Sequence, residues 1–156
     1  MAIGEAASAA RAVFPPAPIA TPDGLLPLPA VMVAIAGAES GWDCRCAGDG
    51  GLRGPHCRGM AGGRPVEAAT SWGLWQTYNV HAGFLREAAG SEDPCAWAEW
   101  LYDPRNNAQA ALHVLGGDFQ RRLAHGSTWG GRRTTWAAGV GPHGAHLGEA
   151  RAILPG

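Results

Sequence analysis

Lysine is missing altogether: all twelve basic residues are arginines, set against thirteen acids for a formal charge of −1. So even a balance offers no electrostatic footprint for nucleic acid, and no such partner is expected. The arginine bias is read as a compositional habit with no function attached. Long apolar runs are lacking too. The longest, around Val31–Ala38, falls far short of the roughly 20 residues that a spanning helix needs, so no membrane span is expected. The N-terminal MAIGEAASAARAVFPPAP has an acid before its first base and no apolar h-region, and does not read as a signal peptide. Period-two strands beyond a few residues, internal repeats and H-E-x-x-H spacing among the six histidines are also missing. No metal and no cofactor are expected.

What is present suits one compact domain. The chain has 156 residues and is 46% hydrophobic, enough to bury a core without external staples. A single domain over 1–156 is expected, with 1–26 as an N-terminal helix and linker. Glu5–Phe14 has the pattern of a short helix that PPAP at Pro15–Pro18 ends, with a loop after it. Pro27 and Pro29 then stand ahead of an apolar helix over Ala30–Ser40, stopped by Gly41. Asp93-Pro94 and Asp103-Pro104 each supply a cap acid and a proline at the first helical position, so two helices start there. Trp97 and Leu101, and Ala108, Ala111, Leu112 and Leu115, set their apolar faces. A last helix is expected near His146–Ile153. Between Asp43 and Thr70 the text changes character, with seven glycines from Gly48 to Gly63 and no apolar period. That segment reads as irregular or hairpin-like. The fold class is mainly α.

The stretch VMVAIAGAESGW, Val31–Trp42, is the most core-like in the chain, yet it ends in an acid. Residues four apart share a helix face, so Val31, Ile35 and Glu39 form one stripe and Glu39 faces the core. Such a carboxyl has either a buried partner or a task that uses it out of water. Seven tryptophans, against two tyrosines and three phenylalanines, are mostly core, but some suit a cleft where indoles stack on sugar rings.

Three motifs come in order: Glu39-Ser40 at the end of the apolar helix, Gly73-Leu74-Trp75-Gln76, and Leu101-Tyr102-Asp103-Pro104 with Asn107 and Ala111. In this order and spacing the chain resembles the soluble lytic transglycosylases and their lysozyme-like relatives, from about Pro27 to Gly141. The resemblance implies a lysozyme-like α domain acting on peptidoglycan glycan strands, between muramic acid and glucosamine residues. It implies Glu39 as general acid, then base, since burial among apolar groups favours a protonated carboxyl near neutral pH. Ser71 and Gln76 would contact the substrate's polar groups, Gly73 would allow close backbone approach, and Trp75 and Trp136 would wall the cleft, with Trp72 a further candidate. Asn107 is expected to bond at its helix start. Family members usually carry Ala-Tyr-Asn-Ala-Gly where this chain has Thr135-Trp136-Ala137-Ala138-Gly139, which takes away a phenol near the acid. The variant S-x-GLWQ resembles copies in bacteriophage and actinobacterial wall enzymes. Action at the bacterial wall or periplasm, delivered by a phage or as part of its virion, is the corresponding expectation.

A hydrolytic lysozyme would need a second carboxylate, and Asp43, Asp49 and Glu67 are its candidates. A non-catalytic glycan-binding module of the same fold is the alternative class. For the four cysteines, Cys44–Cys57 with Cys46–Cys95, or Cys44–Cys95 with Cys46–Cys57, are the workable pairings, because joining Cys44 to Cys46 is strained. A zinc held by Cys44, Cys46 and Cys57 with His56 or Cys95 is the rival, although the C-x-C spacing departs from the usual one.

Overall fold

A computed structural model describes residues 2–21, 23–48, 54–61, 64–65, 70–124, 128–129, 132–133 and 146–155. Among these, helix predominates. Helix α1 (Ala2–Val13) is followed by a hairpin, β1 (Pro18–Thr21) and β2 (Gly24–Pro27), and then by α2 (Leu28–Ser40). Strands β3 (Ala47–Gly48), β4 (Met60–Ala61) and β5 (Arg64–Pro65) lie in the glycine-rich segment, with β6 (Ser71–Trp72) and β7 (Thr77–Tyr78) beyond it. After a 3-10 turn, Asn79–His81, come α3 (Ala82–Ala89), α4 (Pro94–Leu101), α5 (Pro104–Leu115), α6 (Phe119–Ala124), the strand pair β8 (Thr128–Trp129) and β9 (Arg132–Arg133), and α7 (Leu147–Ile153).

The loop expected after Pro15–Pro18 is in fact a four-rung antiparallel hairpin, Pro18↔Pro27 to Thr21↔Gly24. Its turn is closed by Thr21, whose Oγ1 donates to the Gly24 carbonyl at 2.8 Å and accepts from the Asp23 amide at 3.1 Å. Proline suits a short edge strand, where a missing ladder donor costs little. The hairpin also starts α2. Pro27 has no side chain able to cap, and the Leu28 amide donates to the Ala17 carbonyl at 2.8 Å instead. The two Asp-Pro starts are as the sequence implies. Asp93 Oδ1 accepts from the Cys95 amide, and Asp103 Oδ1 from the amides of Arg105 and Asn106.

Among the described residues two buried clusters make the core. The first joins α1, the β1–β2 hairpin, α2, α5 and α7 and includes Phe14, Ile19, Met32, Ile35, Leu74 and Trp75. Small faces on α1 (Ala6, Ala9, Ala10) let it lie close against α2 and α5. The second gathers Cys57, Trp72, Leu85, Trp97, Leu101 and Tyr102 around α3 and α4. Helix α5 serves both, giving Ala108, Ala111 and Leu115 to the first and Ala110 to the second. Of the three-stranded sheet β3-β6-β7, β6 gives Trp72 to the second cluster, and the turn after it gives Leu74 and Trp75 to the first. Among the described residues no helix is long and apolar enough to cross a membrane.

Candidate active site

Helix α2 is buried at every position from Leu28 to Gly37, whereas Ala38, Glu39 and Ser40 are half-buried. A helix apolar all round is a core helix, so Val31 and Ile35 do not define a single inward face. Depth, more than face, distinguishes Glu39: it is half-buried where the ten residues from Leu28 to Gly37 are buried. The Ser40 hydroxyl donates to the Ala36 carbonyl at 2.9 Å and the Gly41 amide to Gly37 at 2.9 Å, so the last turn is held through its own carbonyls. Gly41 and then Trp42 both adopt left-handed backbone, each at φ 61°. The exposed Asp43 accepts the Arg45 amide at 2.9 Å, and the chain then enters β3. Within a few residues it has passed from the first cluster to a sheet whose Trp72 belongs to the second.

The turn between β6 and β7 carries the expected S-x-GLWQ residues, but their surroundings differ from expectation. Trp75 is not the wall of an open cleft. It is 0% exposed, meets Phe14 edge to face at 5.5 Å, and donates its Nε1–H to the Met32 carbonyl at 2.8 Å. Gly73 (φ 86°) has a reason within the fold to be glycine. A Cβ there would collide with the Asn107 amide and would lie 2.6 Å from the Leu101 carbonyl oxygen. Ser71 is fully buried within β6, in register with Gly48 and Tyr78. Gln76 is half-buried, with Nε2 donating to the carbonyls of Gly73 (2.9 Å) and Cys46 (3.2 Å), so it ties the turn to the segment leading into β3. Trp72 is buried in the second cluster. Trp136, Asp49 and Glu67 lie outside the described residues.

One residue does more than its sequence position implies. Asn107, expected to bond at its helix start, is fully buried and reaches across to the turn. Its Oδ1 accepts the Trp75 amide at 2.8 Å and its Nδ2 donates to the Trp72 carbonyl at 3.0 Å. Both ends of the amide are used to fix a turn whose two tryptophans anchor different clusters. The available signal was the pairing of an interior helical Asn with a glycine whose absent side chain leaves it room, and no one-dimensional spacing reveals that.

The cysteine pairings are corrected. Cys57 is bridged to Cys95, while Cys44 and Cys46 carry thiols. Neither two-bridge arrangement forms, because Cys57 is buried against α4, where Cys95 stands, and Cys44 packs towards α1. The bridge also uses sulfurs that the zinc alternative required. Cys44 Sγ donates to Glu5 Oε2 on α1 at 3.2 Å. Burial, reinforced by that hydrogen bond and by the negative charges of Glu5 and Asp43, pushes its pKa up to about 12. It is held as a protonated thiol and is a poor nucleophile. In the 3-10 turn before α3, His81 lies edge to face with His113 at 6.0 Å, and burial together with that neighbour lowers its pKa.

These observations define the class of the molecule: a mainly helical fold with, among the described residues, two buried clusters, a small antiparallel sheet that carries Trp72 of the second, and a half-buried carboxyl at the end of the central helix. No family model matches the chain, and no curated protein or solved structure does.

Proposed function

We propose that the protein cleaves the glycan strands of bacterial peptidoglycan, with Glu39 as the general acid. The supporting observation is the place of Glu39: a half-buried residue in the last turn of the most buried helix, a few residues before the chain enters β3. The ordered motifs Glu39-Ser40, Gly73–Gln76 and Tyr102–Asn107 support the lysozyme-like reading. In the reaction, the carboxyl gives its proton to the glycosidic oxygen as the bond to the muramic acid carbon breaks. The resulting carboxylate then takes a proton from the attacking hydroxyl. When the attacking group is the sugar's own hydroxyl, an anhydromuramic end results and one carboxyl serves both steps. A water attacker gives hydrolysis and calls for a second carboxylate, for which Asp43 is the candidate among the described residues. General acid catalysis of this kind contributes on the order of 10² to 10⁴ in rate. The working place is the cell wall, reached by phage delivery or from within a virion.

A second reading, a glycan-binding or structural module without activity, is favoured by a specific observation: Gly73, Trp75 and Gln76 are all engaged in holding the fold. Digestion of purified walls separates the two. Lysis by the parent protein and its loss in Glu39→Gln, with helix content and melting unchanged, supports the enzyme; mass spectrometry then distinguishes anhydro from reducing ends. Equal clearing by Glu39→Gln removes Glu39 from the chemistry, and walls bound but left intact by the parent favour the module.

A further inference from the structure

Two left-handed residues follow Glu39 where one suffices. Gly41 by itself caps α2 through the Gly37 carbonyl. Trp42 then repeats the conformation, which bulky side chains rarely adopt. Among the described residues only Gln76 shares this property with it, and Gln76 belongs to the Gly73–Gln76 turn. Backbone held in a sparsely populated region persists where its surroundings over-determine it, and such places cluster at functional sites.

The surroundings of Trp42 do over-determine it. The second reversal sends its indole back along α2, where Nε1–H donates to the Val33 carbonyl at 2.9 Å. The ring lies over Gly37: a Cβ there would stand 2.7 Å from Trp42 Cζ2 and 2.8 Å from His146 Cγ. His146 closes the other side, edge to face at 4.7 Å. The backbone from Val33 to Trp42 is thereby a closed loop, and Glu39 is inside it. Gly37 is two residues from Glu39, about 200° round the helix at 3.6 residues per turn. The indole thus braces the flank opposite the carboxyl.

We infer that Trp42, seated on Gly37 and against His146, is a positioning residue that sets the direction of the Glu39 carboxyl; this rests on the reading of Glu39 as the acid. It acts through the backbone of the last helical turn and makes no substrate contact.

The test follows the ¹³Cδ resonance of Glu39, assigned by its loss in Glu39→Gln, in labelled full-length protein, beside kcat and KM on soluble wall fragments. In Trp42→Gly and Gly37→Ala the resonance and its titration midpoint should move. The kcat should fall about 10²-fold, as for a displacement of about 1 Å, with KM little changed. Trp42→Phe keeps a ring but loses the bond to Val33, so it should lie between parent and glycine variant. It also carries the test if Trp42→Gly does not fold. A Glu39 resonance and midpoint coincident with the parent's in the folded variants, or an unchanged kcat, overturns the inference. If the parent digests no wall, the catalytic reading is lost, while the Glu39 resonance still decides whether Trp42 sets the carboxyl.

Discussion

Asn107 spends both ends of one side-chain amide on backbone groups 32 and 35 positions away in sequence. Removing it strands a buried N–H and a buried carbonyl, each costing about 1–3 kcal/mol. Asn107→Ala should therefore lower unfolding free energy by about 2–4 kcal/mol in a denaturant titration. Gly73→Ala should do at least as much, since it adds a clash with that amide to an unfavourable φ of 86°. A change under 0.5 kcal/mol in either variant would mean that the turn is not clamped in this way. His81 supplies the pH dependence. The folded protein keeps this imidazole neutral below its ordinary pKa of 6.5, because burial and His113 oppose the charge. The unfolded chain then binds more protons in that window, so stability rises with pH through it and is lost as pH falls below about 6.5. Melting temperature should decline from pH 7.5 to 5.5, and the decline should be shallower in His81→Gln.

At the scale of elements, the strands of the glycine-rich segment and the sheet are two residues long and cannot hold by ladder bonds alone. The Cys57–Cys95 bridge ties this segment to α4 across 38 positions. In the loop-entropy model a closure of that length restricts the unfolded chain by about 4 kcal/mol. Reductant should therefore lower the melting temperature by several degrees, and Cys57→Ala with Cys95→Ala should reproduce the effect without reductant. The oxidised chain should weigh two hydrogens less than the reduced one, for its single bridge. Melting indifferent to reductant would show that burial of Cys57 and the contacts of α4 order the segment unaided.

Among the described residues the core is two clusters of unequal size that share α5 and are joined through β6 and the turn after it, with Trp72 in the second and Leu74 and Trp75 in the first. The first surrounds a helix buried over ten consecutive residues; the second rests on shorter helices and small strands. Opening free energies in one domain range from near zero up to the global value, and they are lowest where buried apolar contacts are few. Native-state hydrogen exchange should accordingly find amides of α3 and α4 opening at lower free energy than those of α2, with reduction of the bridge widening the gap. Uniform opening energies would show that α5 and the turn make the clusters one cooperative unit.

The sequence by itself determined what local chemistry determines. The Asp-Pro starts of α4 and α5, the apolar α2 with its Gly41 stop, and the mainly helical character follow from capping, proline geometry and composition, each acting within a few residues. Glu39 was legible for the same reason, as an acid closing an apolar helix. Tertiary structure decided matters that depend on contacts between distant segments. It chose Cys95 as the partner of Cys57, drew Trp75 into the core, folded Pro18–Pro27 into a hairpin, and turned Asn107 from a helix-start residue into a clamp. Each outcome depends on which surfaces meet, and side-chain type alone leaves that open: an indole can stack on a sugar ring or, as Trp75 does, meet Phe14 edge to face in the core. Only packing selects between them, because a buried side chain must fit the volume and hydrogen-bond partners that other parts of the chain supply.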